Sequence, residues 1–292
     1  MKTTKILKYI SLLVAILAAS MALFVFAGCN GSGEKEKHSI VVAGSTSVQP
    51  YAELLAEEFE RITPGVKVDV TGGGSAAGAS SAHSGVADIG MLSRDLKTSG
   101  NESELTPILI AEDGLAVIVH PDNPVADLTL EHIRKIYTAE FKNWSDVGGL
   151  NDAKGKPVKI NAITREDGSG MRTAFEELVM LDELTKEKHR INPRAVVSPS
   201  NGAIRYLVSD DKNAIGFISL GLVKSEGDEK DVKAISLDGT PATVGNVKDG
   251  SYKLSRPFLF VTMGEPTGLV KEFIDFVLGE GKKILDAEGL IT

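Results

Sequence analysis

The chain has a single cysteine, Cys29, in 292 residues, so no internal disulfide can form and the fold must be held by its core alone. A chain of this length can bury enough surface for that. Histidine is almost as scarce. His38, His83, His120, His132 and His189 are the five, and none stands at a spacing that reads as a metal site or a catalytic pair, so neither a metal nor a cofactor is expected. The pattern GxxxxGK[ST] is absent, which argues against a nucleotide-hydrolysing enzyme. The nucleophile elbow GxSxG is absent too, because Ser75 is followed by two alanines and Ser169 by Gly-Met. Positive charge is in short supply, with 32 Lys and Arg against 40 Asp and Glu and a net charge of −8, which argues against nucleic acid and anionic lipid as partners. There is no repeat at a fixed period and no linker midway that would divide the chain into two sequential domains.

What the sequence does contain is glycine and hydroxyl residues placed where helices are predicted to begin: 44-GSTSVQP, 72-GGGSAAG and 164-TREDGSGMRTAF. A helix start exposes unpaired N–H groups and the positive end of the macrodipole, so each stretch is a candidate anion site. In the first, 39-SIVVAG reads as a strand and 48-VQPYAELLAEEFERI as a helix whose Tyr51, Leu54, Leu55, Phe59 and Ile62 form one buried face. Ser45, Thr46 and Ser47 sit at the junction, free either to cap the helix or to turn toward a ligand. In the second, which follows the strand 66-VKVDV, Ser75 supplies a hydroxyl; Gly72, Gly74 and Gly78 also read as a loose dinucleotide fingerprint, one residue too long. The third brings charge. Arg165 precedes Asp167, its expected partner, and then Gly168, Ser169, Gly170 and Met171 open a helix; a guanidinium can hold two oxygens of a tetrahedral anion.

The N-terminus is a separate matter. Lys2, Lys5 and Lys8 precede an apolar run from Tyr9 to Ala27, the layout of an export signal. The run ends in 26-FAGC, which resembles the lipobox of bacterial lipoproteins, with Phe26 where Leu is usual. That resemblance implies a signal at residues 1–28, lipidation of Cys29, and residues 29–38 as a flexible tether to the membrane. An uncleaved membrane anchor is the alternative, since the run nearly spans a bilayer.

Along the remainder, 86-VADIGML reads as a buried strand and 107-PILIAEDGLAVIVH as an apolar run broken at Gly114. A helix is predicted over 129–144, capped by Thr129. Further on, 157-PVKINAITR, 214-AIGFISL and 255-SRPFLFVTM read as strands, and 173-TAFEELVM and 202-GAIRYLVSD as helices. The segment 225–252 reads as turns and short edge strands, and 266–290 as two helices split near Gly279. The alternation predicts an α/β fold with layers around largely parallel sheets.

Taken in order, 44-GSTSVQPYAELLAEEF, 71-TGGGSAAG, 88-DIGMLSRDL, 164-TREDGSGMRTAF, 214-AIGFISLG and 256-RPFLF resemble the phosphate-binding components of bacterial ABC phosphate uptake systems, over nearly the whole mature chain. The resemblance implies an α/β, two-lobed type II periplasmic-binding-protein fold with two crossover strands and the ligand in the interlobe cleft. Residues 39–115 and 256–292 would make the first lobe and 116–255 the second. It implies binding roles for Ser45, Thr46, Ser47, Ser75, Arg165, Gly168, Ser169 and Gly170. Met171 stands where many relatives have Thr and would offer only its N–H. Ser93 and Arg94 replace a Ser-Asp pair whose carboxylate accepts the proton of hydrogen phosphate and so rejects sulfate. Asp88 and Asp95 are the nearby carboxylates that could take that role, Asp88 reading rather as structural. Arg94 would either reach the anion or pair with a carboxylate. Ser200 is a further candidate because it too begins a helix.

The expected protein is therefore a monomeric, lipid-anchored extracytoplasmic receptor, not an enzyme, that closes on inorganic phosphate and presents it to an ABC permease in the membrane. The rival ligands are sulfate, molybdate and tungstate, and the rival class is a secreted serine hydrolase.

Overall fold

Ser39–Gly44 form the first strand, β1, with Ile40 and Val42 fully buried and Ser39 exposed, as β-branched residues at alternate positions on a packed pleat should be. The structure is a computed structural model and describes residues 38–149, 151–152, 154–182, 185–223 and 232–292. The export signal, Cys29 and all of the tether except His38 lie outside the described residues. Among the described residues no helix is long and apolar enough to cross a membrane.

After β1 come α1 (Gln49–Ile62), β2 (Lys67–Gly72), α2 (Ser75–Ser84), β3 (Ile89–Leu92) and the long β4 (Leu105–Val119). The middle of the chain supplies β5 (Asp127–Leu128), α3 (Leu130–Tyr137), β6 (Asn161–Arg165), α4 (Gly170–Leu178), β7 (Val196–Ser198), α5 (Asn201–Asp210) and β8 (Ala214–Ser219). It ends with β9 (Lys233–Ala234), β10 (Ser236–Leu237), α6 (Val244–Lys248), β11 (Ser255–Met263), α7 (Gly268–Leu278) and α8 (Lys282–Ala287).

One curled sheet runs β2-β1-β3-β11-β4-β8-β6-β7, with β9 added beside β4. The two flanks are parallel, β1 with β2 and β3 on one side and β6 with β7 and β8 on the other. The centre is antiparallel, which corrects the expectation of largely parallel sheets. The reason is topological: the chain leaves one flank along β4 and returns along β11, so these neighbours must run in opposite directions. Nor does Gly114 break β4, whose Leu105–Gly114 pair with β11 while Leu115–Val119 pair with β8.

Two main cores flank that centre. One gathers Ile40, Val42, Leu55, Phe59, Phe258, Phe260 and Phe273 from the two ends of the described chain. The other gathers Leu115, Val117, Tyr137, Trp144, Phe175 and Phe217 from its middle. There the Phe175 and Phe217 rings stack 4.0 Å apart and Tyr137 meets both edge-on, contacts worth about 1 kcal/mol each beyond burial. The Tyr137 hydroxyl donates to the Ile163 carbonyl at 3.0 Å.

Three local expectations are corrected. Tyr51, Leu55 and Phe59 make the buried ridge of α1, but Leu54 and Ile62 are exposed, the first because it falls one residue off the four-residue ridge and the second because it lies in the last turn. Helix α3 stops at Tyr137, well short of 144, because Ala139 takes a positive φ of 61°. The 225–252 segment contains α6, capped by the Thr243 hydroxyl; residues 224–231 are not among those described.

Candidate functional site

Every stretch singled out for anion binding follows the carboxyl end of a parallel strand, where ligands of open α/β sheets bind. Ser45–Ser47 follow β1, Ser75 follows β2, Ser93 follows β3, Arg165 ends β6, and Ser200 follows β7. Neither α1 nor α2 has a side-chain cap at its N-terminus, so the first-loop hydroxyls are not consumed by ordinary capping. Instead the Ser45 hydroxyl donates to Ser93 Oγ at 2.8 Å and accepts from the Ser47 N–H at 3.2 Å. Ser75 Oγ accepts from the Ser93 N–H at 3.1 Å and lies 3.4 Å from Ser93 Oγ. These four serines are almost wholly buried.

The third stretch closes on that group from the other side. A Cβ on Gly170 would stand 2.2 Å from Ser75 Oγ and 2.7 Å from Ser93 Oγ, so only glycine lets the N-terminus of α4 come this near the serines. The Gly168 carbonyl accepts from the Ala76 N–H at 3.0 Å, tying the loop to the first turn of α2. Ser169 caps α4, its hydroxyl accepting from the Arg172 N–H, and Met171 is buried in the first turn. The result is the serine cluster facing the positive end of α4.

Arg165 is only 1% exposed. It donates through Nε and Nη2 to Glu166 at 2.8 Å each, and through Nη2 to the Pro199 carbonyl at 3.1 Å. The expectation that Asp167 fixes it is wrong: Asp167 points outward and pairs with Arg172 at 2.8 Å. Consecutive residues at the end of a strand point to opposite sides, and the turn that follows brings Glu166, not Asp167, back against the guanidinium.

Arg94 does not point to this cluster. Its Nη1 and Nη2 donate to Glu102 at 2.8 Å each, and Nη1 also donates to the Asp95 carbonyl at 2.7 Å. Asp88 accepts from the Val41 N–H at 2.9 Å, the structural use expected of it. Ser200 caps α5, its hydroxyl accepting from the Ala203 N–H at 3.1 Å.

Three residues escaped sequence reasoning. Asn201 donates from Nδ2 to Ser47 Oγ at 2.9 Å and to Thr46 Oγ1 at 3.3 Å. Asp113 on β4 and Arg256 on β11 form a buried pair at 2.9 Å, and Arg256 Nη1 donates to the Ser93 carbonyl at 3.0 Å. Burial pushes the Asp113 carboxyl up and the Arg256 guanidinium down; their mutual attraction opposes both, and the neighbouring Arg165 adds to the depression of Arg256. Arg165 and Arg256 lie within electrostatic reach of each other, each balanced by its own carboxylate, Glu166 and Asp113. A charge inside an apolar strand, as at Asp113 within 107–120, was the available signal.

No hydrogen bond joins a site serine to a histidine among the described residues; His83, for instance, lies 3.3 Å from Glu104. No cluster of His, Cys, Asp and Glu suited to a metal is found among them either.

Residues 31–280 match the family model of a PBP superfamily domain. The chain is 43% identical to a Clostridium perfringens protein solved with bound phosphate and described as a phosphate ABC transporter substrate-binding protein, over 87% of this chain and 99% of that one, with a TM-score of 0.77. It is 38% identical to an ABC-type phosphate transport receptor from Vibrio cholerae, with the same coverage and a TM-score of 0.67. It is 29% identical to the phosphate-binding protein PstS of Bacillus subtilis over 96% of this chain and 93% of that one. The chain thus belongs to the PBP superfamily, among the phosphate-binding receptors of ABC transporters with the type II periplasmic-binding-protein fold.

Proposed function

We propose that this chain is an extracytoplasmic receptor that binds inorganic phosphate in the cleft between its lobes and delivers it to an ABC import permease. The observation that carries this is the meeting of Ser45, Ser75 and Ser93 with Gly170 at the start of α4. Hydroxyls, helix N–H groups and the Arg165 guanidinium are the donors that a small oxyanion needs, and charge-assisted bonds in a desolvated cleft are about twice as strong as neutral ones. Micromolar or tighter binding, roughly −8 kcal/mol, is within their reach.

The proposed ligands are the hydroxyls of Ser45, Thr46, Ser47, Ser75 and Ser93, the Arg165 guanidinium, the Ser169 hydroxyl, and the N–H groups of Gly168, Gly170 and Met171. Arg94 acts instead as a brace on Glu102, while Ser200, which like Ser169 accepts a capping N–H and keeps its own proton to donate, stays a further proposed ligand. The lobes divide at the crossover of β4 and β11, residues 39–115 with 256–292 making one and 116–255 the other; apart from Leu115 at the boundary, the buried residues of the two main cores fall on either side of that division. Export, lipidation at Cys29 and a monomeric state complete the reading, with the tether letting the receptor reach its permease.

Titration calorimetry of the ligand-stripped soluble domain with phosphate, sulfate, molybdate and tungstate at neutral pH is the test. One-to-one binding of phosphate alone is expected. Binding of another of these oxyanions would move the ligand assignment, and binding of none would overturn the reading.

A further inference from the structure

Buried polar residues outside the anion loops, Asn201, Ser219, Asp113 and Arg256, form a closed circuit with the loop serines Ser45, Ser47 and Ser93. Asn201 Nδ2 donates to Ser47 Oγ at 2.9 Å, and Asn201 Oδ1 accepts from the Ser219 N–H at 3.2 Å. The Ser219 hydroxyl donates to Asp113 Oδ1 at 2.8 Å, and Asp113 Oδ2 accepts from Arg256 Nη2 at 2.9 Å. Arg256 Nη1 donates to the Ser93 carbonyl at 3.0 Å, the Ser45 hydroxyl donates to Ser93 Oγ at 2.8 Å, and the Ser47 N–H returns to Ser45 Oγ at 3.2 Å. All seven residues are at most 4% exposed. The circuit passes through β4, β8 and β11 at the point where β4 changes partners from β11 to β8.

Within that circuit Asn201 is the residue of the chain's middle segment that grips the first anion loop, 154 residues away in sequence. Its amide uses both ends at once, the NH2 on the Ser47 and Thr46 hydroxyls and the carbonyl on the backbone of β8. A hydroxyl that accepts from Asn201 keeps its own proton free to donate onward, so the contact orients Ser47 as a donor. A second contact between the flanks, Gly168 to Ala76, is a single backbone bond at the rim, where Gly168 is exposed, whereas the Asn201 contact with Ser47 is buried.

Resting on the phosphate reading above, we propose that Asn201 is the closure latch: a positioning residue that holds the first anion loop to the second lobe and ties closure to the crossover strands through Ser219, Asp113 and Arg256. A latch that forms only on closing slows opening more than it speeds encounter, because it is not yet made when the anion enters.

The test measures radiolabelled phosphate association and dissociation separately for the wild type and Asn201→Ala, with Ser47→Ala and the double variant completing a cycle. The expected result is dissociation at least tenfold faster in Asn201→Ala with association within twofold, and a double variant little worse than Ser47→Ala alone. An unchanged dissociation rate, strictly multiplicative effects, or an equal loss in both rate constants would overturn the latch. A merely structural residue would lower the melting temperature without this split between the two rates. Should the alanine variant fail to fold, Asn201→Ser, too short to span the gap yet suited to a first helical turn, carries the same expectation. If the wild type binds a different oxyanion, the rates are compared with that anion, so the latch and the phosphate assignment can fail separately.

Discussion

Arg165 lies flat against the carboxylate of its own neighbour, Glu166, with both bonds at 2.8 Å. A bidentate pair fixes the plane of the guanidinium, so the side chain needs little further ordering when an anion arrives. Arg165→Ala is expected to weaken phosphate binding by roughly 3 kcal/mol, more than a hundredfold in Kd, because it removes charge-assisted donors from a desolvated site. Glu166→Gln keeps an acceptor but not the charge, and is expected to cost about 1 kcal/mol. Asp167→Asn should leave Kd within twofold, since Asp167 is 95% exposed and paired with Arg172. Calorimetry on the three variants reads all of this; a large effect at Asp167 with none at Glu166 would reverse the pairing.

Arg94 and Glu102 form a separate, stability-related pair, with side chains 3% and 14% exposed. Burial alone would raise the Glu102 carboxyl, but the hydrogen bonds from Arg94 and the Lys97 N–H outweigh it and hold the group below its ordinary value. The ionised form is therefore favoured by folding. Its contribution is whole above the ordinary carboxylate range and is lost as pH falls through the lowered folded value. Glu102→Gln is expected to cost roughly 2 kcal/mol at neutral pH, with the gap from wild type narrowing in acid, as read by urea unfolding at several pH values. Arg94→Ala should lower stability while leaving phosphate affinity within a few fold, and a hundredfold loss of affinity would return Arg94 to the ligand set.

Two glycines give the fold and the site separable tests. A Cβ on Gly78 would meet the Ala43 carbonyl at 2.7 Å and Gly44 Cα at 2.8 Å, so Gly78→Ala must push α2 off β1, at a cost of about 1–3 kcal/mol in stability. Gly170→Ala meets the two serine hydroxyls and is expected to weaken phosphate binding at least tenfold with a smaller change in melting temperature. Equal melting losses with unchanged binding would mean that α4 does not need to approach Ser75 and Ser93.

The site was legible in sequence where its chemistry is local. Glycine beside hydroxyl at a strand-to-helix junction marks Ser45, Ser75 and Ser169 whatever the rest of the fold does. The parallel flanks followed from the same alternation of strand and helix. What was not legible depends on contacts distant in sequence or on backbone that residue type does not announce. Asn201 looks like any first-turn polar residue until Ser47 is brought to it. Nothing in an alanine predicts the positive φ at 139 that ends α3. The antiparallel centre follows from β4 and β11 lying side by side, although about 140 residues of chain separate them.

The buried pair of Asp113 and Arg256 offers the sharpest separation of stability from function. Asp113→Asn leaves a guanidinium almost without access to water facing a neutral group, and is expected to cost roughly 3 kcal/mol. In a protein of this size that lowers the melting temperature by roughly 6–12 °C. Replacing both partners by apolar residues, Asp113→Leu with Arg256→Met, removes the unpaired charge and should recover much of that loss. It cannot restore the donor to the Ser93 carbonyl or the acceptor for Ser219. The double variant is therefore expected to melt nearer the wild type than Asp113→Asn does and still bind phosphate at least tenfold more weakly. If calorimetry instead finds full affinity in a double variant that melts near the wild type, the pair serves the core alone, and Ser93 is positioned by Ser45 and Ser75 without help from the crossover strands.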